Sequence, residues 1–452
     1  MLKEMPDRKK VEAAAAFALD AVKSLGPYKA DVYYIARKSA YVSFREGTPE
    51  ENKAEVLWRI GLRAVDPHGR QGVSDTDDLS MDGIKKMVEW SVANCKVSQP
   101  DGNVEMFKGK YESVDLKLFD PEVLRLRHED KVNFCMTMHQ VASSQDKVRS
   151  VRSSSFGSGM SEEFYVSTEG VSFWERQTEV SWGVAVVMES DGEMDMGGFG
   201  EATCSLRDVS LEKTALEAVK RTAVALGGKP VPTGQYTLVL DPEVAAVLVE
   251  VIGELFLSSS IHKNRSMLKD KLGQQVASRV LTLIDDGRLP GRLGSSSFDA
   301  EGVPTQRTIM MESGVVKSFL YDLKNAKIAG VNSTGNAVRS TGSLPDVGFT
   351  NLYMEPGKGT LNDFLDAPGP KLYITELMGV HTVDPVSGDF SLGAKGALCE
   401  SSSEYRPVAG ITIAGNLMDL MMKVSSVGED LRFFGSTGGC SMVIEDVQVA
   451  GS

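Results

Sequence analysis

The sequence predicts an α+β protein, in which an N-terminal α/β domain is followed by a β-rich C-terminal domain with a few helices. Helical and strand-like hydrophobic patterns alternate over the first half of the chain, whereas short strands, glycines and turn pairs dominate the second half. The proline-containing segment 229–232 separates the two halves and is interpreted as a linker, because proline resists both helix and central strand. The predicted domains are therefore residues 1–228 and 229–452.

The N-terminal half divides into elements by hydrophobic period and by turn residues. Helices are expected over about 11–25, 80–95, 121–144 and 210–226. Strands are expected over 30–37, 40–45, 56–65, 148–155, 163–167, 180–188 and 194–204. Ser190-Asp191-Gly192 predicts a turn between the last two strands. The Ser- and Gly-rich segment 153–161 is expected to form a loop or a bent strand edge.

Charge and composition exclude several classes of protein. Lys and Arg number 49 and Asp and Glu 62, which gives a net charge of −13 and disfavours a nucleic-acid or anionic-membrane partner. The longest apolar runs are far shorter than a bilayer span. The five cysteines are widely spaced and the five histidines do not fall at ligand spacing, so neither a disulfide framework nor a histidine-rich metal site is expected. A cytoplasmic protein is predicted.

The C-terminal half begins with a strand and a helix that could carry a site. Tyr236–Leu240 is a short buried-type strand, and Asp241-Pro242 is a typical helix start. The following apolar stripe consists of Val244, Val247, Leu248, Val251, Ile252 and Leu255. Glu250 and Glu254 lie off this stripe, one turn apart. They are either acid/base groups or oxygen ligands in a cleft, or the solvated face of an amphipathic helix, and the second interpretation is favoured.

Four other segments have compositions that could form binding sites. Asp285-Asp286-Gly287 could bind a cation, but adjacent acids beside glycine are more typical of a turn. His381 lies near two aspartates, in a segment whose dipeptides predict a hairpin tip. Residues 291–297 and 333–336 could offer backbone N–H groups to a peptide or an anion. No P-loop ending and no GxSxG motif are present.

Several motifs in the second half occur together in a recognisable order. They are Ile284-Asp285-Asp286-Gly287, residues 297–306 (SFDAEGVPTQ), Tyr321-Asp322, residues 333–337 (STGNA), residues 387–391 (SGDFS), residues 411–417 (ITIAGNL) and residues 444–451 (IEDVQVAG). With them the chain resembles the TldD/PmbA (TldE) family from about Asp31 to its C-terminus. The SGDFS and GNL segments are more similar to the PmbA/TldE branch than to the TldD branch.

The resemblance implies an α/β N-terminal domain and a β-rich C-terminal domain. It also implies that TldD-type members are zinc peptidases, which pair with PmbA/TldE-type members around a chamber for unfolded peptide. The family is linked to maturation of a microcin-type peptide, to antitoxin degradation and to modulation of DNA gyrase. TldD-like chains carry HExxxH on the helix after the first C-terminal strand and a cysteine near the C-terminus.

This sequence departs from the HExxxH pattern at both histidine zinc ligands and at the catalytic glutamate. In register, Glu250 takes the place of the first His, Val251 of the catalytic Glu and Leu255 of the second His. Valine and leucine can neither ligate zinc nor act as a base. Cys440 lies near the region of the third ligand and is interpreted as a packed residue, with a remnant ligand as the alternative.

We therefore expect a non-catalytic PmbA/TldE-like subunit that has no zinc of its own and partners a TldD-like zinc peptidase in the proteolysis of unfolded peptides. A homodimer is the alternative assembly when the chain is alone. Two other functions stay open. One is a peptidase that is active by itself through a non-standard site containing Glu250 or Glu254, with a metal held partly by Cys440. The other is a binding protein that modulates DNA gyrase through protein contacts.

Overall fold

One antiparallel sheet organises the first half of the chain. The computed structural model describes residues 4–109 and 114–451. The strands of the first sheet are β1 (Lys29–Arg45), β2 (Thr48–Val65), β3 (Gln71–Thr76), β4 (Val148–Ser167), β5 (Ser172–Ser190) and β6 (Glu193–Thr203). Their spatial order is β3-β2-β1-β4-β5-β6, so β3 and β6 are the terminal strands of the sheet.

Two-residue turns join two of the strand pairs of this sheet. Glu46-Gly47 connects β1 to β2 and Asp191-Gly192 connects β5 to β6, and all four residues have positive φ. Two consecutive positive φ values match the right-handed twist of a hairpin, which is why Gly occupies the second position of each turn. The turn predicted at Ser190-Asp191-Gly192 is confirmed.

The expectation of a loop or bent edge over residues 153–161 is wrong. This segment lies inside β4, where it pairs with β1 on one side and β5 on the other. Its large residues, Phe156 and Met160, are buried, and small residues alternate with them. A Cβ on Gly159 would lie 2.8 Å from the carbonyl oxygen of Lys38. Tertiary pairing on both sides therefore overrides the low strand preference of Ser and Gly.

Four helices cover one face of this sheet. They are α1 (Arg8–Ser24), α2 (Met81–Val97), α3 (His128–Ser143) and α4 (Leu211–Ala225). The first two pack on the half of the sheet around β1 and β2, and the other two pack on β4, β5 and β6. The helix expected from residue 121 starts at His128, because the Asp130 carboxylate accepts the backbone N–H of Arg127 at 2.9 Å and caps the helix there.

Two further sheets and a small hairpin organise the second half. Their strands are β7 (Gly234–Leu240), β8 (Leu283–Asp286), β9 (Arg307–Glu312), β10 (Val315–Val316), β11 (Ala337–Val338), β12 (Asp346–Val347), β13 (Leu352–Met354), β14 (Lys371–Met378), β15 (Asp389–Cys399), β16 (Tyr405–Asn416), β17 (Val424–Val427), β18 (Arg432–Phe434), β19 (Thr437–Gly439) and β20 (Met442–Ala450). The sheet orders are β16-β15-β14-β7-β20-β17 and β10-β9-β8-β13-β19-β18, and β11 pairs with β12. Because β16 also pairs with β20, the first of these sheets closes on itself.

The helices of the second half are few and mostly short. They are α5 (Pro242–Glu254), α6 (Ser258–His262), α7 (Leu323–Ala329), α8 (Leu361–Asp366) and α9 (Leu417–Met422). Helix α5 packs its apolar stripe, including Val244, Leu248 and Ile252, into the main core of this half. The predicted fold class is confirmed: helices and strands are mixed in the first half, and the second half is rich in strands with few helices. Within the described ranges, no helix has the length and apolar character of a membrane span.

Candidate functional site

The start of helix α5 is fixed by a buried aspartate, as Asp241-Pro242 predicts. Asp241 is 4% exposed, and its Oδ1 accepts the backbone N–H of Glu243 at 2.9 Å. The hydroxyl of Tyr373 donates to Oδ2 at 2.8 Å, and the guanidinium of Arg221 donates to Oδ1 at 2.5 Å. Strand β14 and helix α4 therefore hold the N-terminus of α5 in place.

The sequence-predicted site residues are divided between the two sides of α5. Glu250 and Glu254 are exposed, whereas Val251 is half-buried and Leu255 is 1% exposed in the core. Cys440 is fully buried in the same core, and burial raises the pKa of its thiol to about 12. The helix therefore does not gather these five side chains around one point.

A catalytic zinc ion does not fit this set of side chains. Structural and catalytic zinc sites use imidazole, thiolate and carboxylate ligands, and a hydrolytic site adds a base. Val251 and Leu255 offer none of these groups, and the Cys440 thiol is held protonated inside the core. Over residues 4–109 and 114–451, no three His, Cys, Asp or Glu side chains are grouped so that they could hold a metal ion.

A cavity of about 270 Å³ adjoins the first turns of α5, and we call it the α5 cavity. Its wall is built from both halves of the chain: β6 of the first sheet, α4, α5, β14 and β15. The charged and glycine residues that line it are Gly197, Gly198, Arg221, Glu243, Glu376 and Lys395. The sequence does not point to this cavity, because its walls lie far apart along the chain.

Each cation of the α5 cavity is paired with carboxylates. The guanidinium of Arg221 also contacts Glu243 at 2.9 Å, in addition to its bond to Asp241. Burial raises the pKa of Glu243, and the negative charge of Asp241 adds to this effect while Arg221 opposes it. On the other wall, Lys395 contacts Glu376 at 3.0 Å and Asp195 at 3.3 Å.

A second depression continues along β6 from the α5 cavity. Glu243 lines both, and Glu201 of β6 lines only the second. The guanidinium of Arg432 donates to Glu201 at 2.8 Å and lies 4.5 Å from the ring centre of Phe199. A single cleft therefore runs beside the terminal strand β6, between the first sheet and the start of α5.

Four buried charges join the two halves of the chain, and we call them the interdomain clasp: Asp31, Arg63, Glu301 and Arg339. Arg63 donates to Asp31 at 2.6 and 2.8 Å and to Glu301 at 3.1 Å, and Arg339 donates to Asp31 at 2.6 Å. Each of the four side chains is 3% exposed or less. Although burial alone would raise the pKa of Asp31, the two arginines hold it below its usual range.

Asp299, beside the clasp, receives three backbone N–H groups. They come from Glu301 at 2.9 Å, Val303 at 3.0 Å and Ala337 at 3.0 Å. Burial, together with the negative charge of Glu301, nevertheless raises the pKa of Asp299 to about 8. The motif SFDAEGVPTQ thus builds the contact between the halves. The sequence analysis did not identify the clasp. The signal for it is Arg63, a charged residue in the apolar end of β2.

Three of the other segments, 285–287, 291–297 and 333–336, form hydrogen bonds inside the fold, whereas His381 is exposed. The turn expected at Asp285 is wrong. Asp285 lies in strand β8, where it is 1% exposed. It accepts from Asn336 Nδ2 at 2.7 Å and from Thr350 Oγ1 at 2.7 Å, and burial raises its pKa to about 6. In the two loops proposed to grip a ligand, the N–H groups of Gly294 and Gly335 bond to side chains of this chain.

Sequence models of one protein family match nearly the whole chain. The PmbA/TldA metallopeptidase domain 1 matches residues 30–95, the central domain 122–226 and the C-terminal domain 233–451. The chain belongs to the PmbA/TldD (TldE) metallopeptidase family. The family predicted from the sequence motifs is therefore confirmed.

Individual relatives of both branches are similar to the chain. A metalloprotease TldD homolog of Buchnera aphidicola (subspecies Schizaphis graminum) is 28% identical and covers 93% of this chain and 89% of the relative. Metalloprotease PmbA of Escherichia coli O157:H7 is 26% identical and covers 98% of this chain and 97% of the relative. The crystal structure of TldE from Thermococcus kodakarensis has a TM-score of 0.88 at 22% identity and covers 98% of this chain and 100% of that one. The percentage identity with this chain is therefore similar for relatives of the two branches.

Proposed function

We propose that the chain is a non-catalytic, peptide-holding subunit of PmbA/TldE type, which acts in the cytoplasm with a TldD-like zinc peptidase on unfolded peptides. The observation that carries this proposal is the composition of α5, where Glu250, Val251 and Leu255 stand in place of HExxxH. The names of the relatives support the metalloprotease reaction class. The zinc ion is expected in the TldD-like partner, and this chain is expected to hold the peptide.

The terminal strand β6 supports the peptide-holding role. A terminal strand offers unpaired backbone groups to which an extended peptide can add, whatever its sequence. The edge of β6 carries Gly197, Gly198 and Gly200, and Met194 and Met196 beside them are 60% and 57% exposed. Methionine is adaptable and suits a surface that accepts many peptides.

The opposite edge of the same sheet is protected against such pairing. Strand β3 covers only residues 60–65 of β2, and among the described residues no other strand pairs with this side of β2, so the rest of it is a free edge. This free part carries Pro49, Glu50, Glu51 and Lys53, and proline and charge are the usual means of blocking edge-to-edge pairing. In the second half, pairing of β16 with β20 closes a sheet whose edge could otherwise accept peptide. Within the first sheet, the contrast favours β6 over the free part of β2 as the docking strand.

Co-purification tests the partnership. A tagged chain recovered from its native host should bring a TldD-like chain with it. Purified alone, it should contain no stoichiometric zinc and should not cleave unfolded casein, whereas addition of the TldD-like chain should give chelator-sensitive cleavage. Stoichiometric zinc in the isolated chain, lost in Cys440→Ala, would favour the self-active peptidase instead. Recovery without any TldD-like chain would contradict the proposal.

N-methylated peptides test the docking mode. A fluorescein-labelled peptide in extended form should bind, and a peptide with the same side chains but N-methyl groups on both edges should not, because it cannot donate to a strand. Equal affinity for the two peptides would show that main-chain pairing is not used.

A further inference from the structure

The wall of the α5 cavity formed by α4 and α5 has more carboxylate than cation. Arg221 is the cation, and its side chain is 10% exposed. Asp241 and Glu243 both contact it. Asp241 is enclosed and also receives the Tyr373 hydroxyl, so it neutralises Arg221 within the fold. Glu243, which is 37% exposed, remains as the second carboxylate and lines the cavity.

The facing wall, formed by β14, β15 and β6, repeats this arrangement. Lys395 is 16% exposed and contacts both Asp195 and Glu376. Glu376 is 45% exposed and lines the cavity. The two walls together hold two cations and four carboxylates, a net charge of −2, and Glu243 and Glu376 are the more exposed carboxylates of their walls.

We propose that the α5 cavity is a specificity pocket for the positively charged group, ammonium or guanidinium, of a basic peptide docked on β6. This inference rests on the proposed peptide-holding function and names its substrate class. A strand that pairs with β6 beyond Met196, whose carbonyl oxygen accepts from Lys395 at 3.4 Å, runs past Gly197 and Gly198, which line the cavity and have no side chains to close it. A lysine or arginine side chain of that strand would reach Glu243 and Glu376, which already face the space.

A second copy of this chain suits the β6 edge less well than a basic peptide does, although Lys229, Lys395 and Arg432 each pair with one acidic residue of β6. Strand β6 carries Glu193, Asp195 and Glu201. Antiparallel pairing of two β6 strands would bring these acidic residues of the copies close to one another, and like charges on facing strands are destabilising. A basic strand meets the same residues with opposite charge.

Binding of a peptide series tests the proposal. The probe is a fluorescein-labelled peptide, Ser-Thr-Val-X-Val-Thr-Ser, in which X is lysine, arginine, norleucine or glutamate, and the dissociation constant is measured by fluorescence anisotropy. Lysine and arginine should bind about tenfold more tightly than glutamate, with norleucine between them, because charges a few ångströms apart at a protein surface interact strongly. The preference should shrink in about 0.5 M salt, since salt screens exposed charges.

Variants locate the preference. Glu376→Gln should lower the ratio of lysine to norleucine affinity about threefold, and Glu243→Gln with Glu376→Gln should bring it close to one. Glu250→Gln is the matched control, because it removes an exposed glutamate of α5 that does not line the cavity. Glu376 is nearly half exposed, so its variant should keep the fold.

The outcomes separate this inference from the proposed function. Equal binding of all four peptides would overturn the specificity pocket and leave the peptide-holding function standing. Tightest binding of the glutamate peptide, or a preference for lysine that survives the double variant, would also overturn it. Failure of every peptide to bind would overturn both.

Discussion

Replacing Arg63 by methionine tests whether the interdomain clasp holds the two halves of the chain together. Arg63 is 2% exposed and donates to Asp31 and Glu301. Methionine fills a similar volume but removes the ion-pair partner of Glu301 and leaves Asp31 with Arg339 alone. Removal of one partner from a buried ion pair costs about 3–5 kcal/mol, so Arg63→Met should lower the free energy of unfolding by this amount.

Urea denaturation followed by tryptophan fluorescence gives the measurement, and Arg59→Met is the matched control. Arg59 lies on the same strand and pairs with Asp75, but its side chain is 55% exposed. An exposed ion pair contributes at most about 1 kcal/mol, so the control should shift the denaturation midpoint far less. If Arg63→Met costs no more than Arg59→Met, the clasp does not stabilise the protein and the reasoning is refuted.

Three further predictions follow from burial. Because the pKa of Asp299 is raised to about 8, this group makes stability fall as the pH rises from about 4 to 8, by at most about 1.4 kcal/mol per pH unit. The difference in free energy of unfolding between wild type and Asp299→Asn, measured from pH 5 to 8.5, should show this slope, and a flat difference would contradict it. A Cβ at Gly61 would lie 1.9 Å from the carbonyl oxygen of Thr341. Gly61→Ala should therefore lower the free energy of unfolding, measured by urea denaturation, by about 2 kcal/mol. Gly102 has open space around it, so Gly102→Ala should change this free energy little. All five cysteines are buried, and burial raises the pKa values of their thiols. A thiol reagent at pH 8 should therefore label no cysteine in the native protein and all five in urea. Labelling before unfolding would show that the core opens.

Local signals in the sequence predict the elements whose cause is local. The N-cap carboxylate of Asp241 and the turn at Asp191-Gly192 act within a few residues, and the structure has both where the sequence indicates. The Ser- and Gly-rich segment of β4 is different, because its strand conformation depends on partners in β1 and β5. Composition within the segment could not reveal that pairing.

The sequence predicts the candidate site only in part, because contacts between segments that are remote in the chain leave no local signal. The motifs identify the family, and the helix start predicted at Asp241-Pro242 is where α5 begins. They do not show the α5 cavity or the clasp, since both are formed by residues remote in sequence. Arg63 and Glu301, for example, are 238 residues apart. A charged residue within an apolar strand is the signal that could have directed attention to Arg63.

The contacts that fix helix α5 also determine which charge of the cavity can be changed without moving the helix. Arg221 is held by Asp241 and by the carbonyl oxygen of Thr375 at 3.0 Å, and neither contact involves Glu243. The helix start is likewise capped by Asp241 through the backbone N–H of residue 243, which any side chain at that position retains. The carboxylate of Glu243 also contacts Arg221 at 2.9 Å, but the helix cap and the other two contacts of Arg221 remain when this carboxylate is removed. A loss of basic-peptide preference in its glutamine variant would consequently report charge, because Asp241 and Thr375 still hold Arg221 and Asp241 still caps α5.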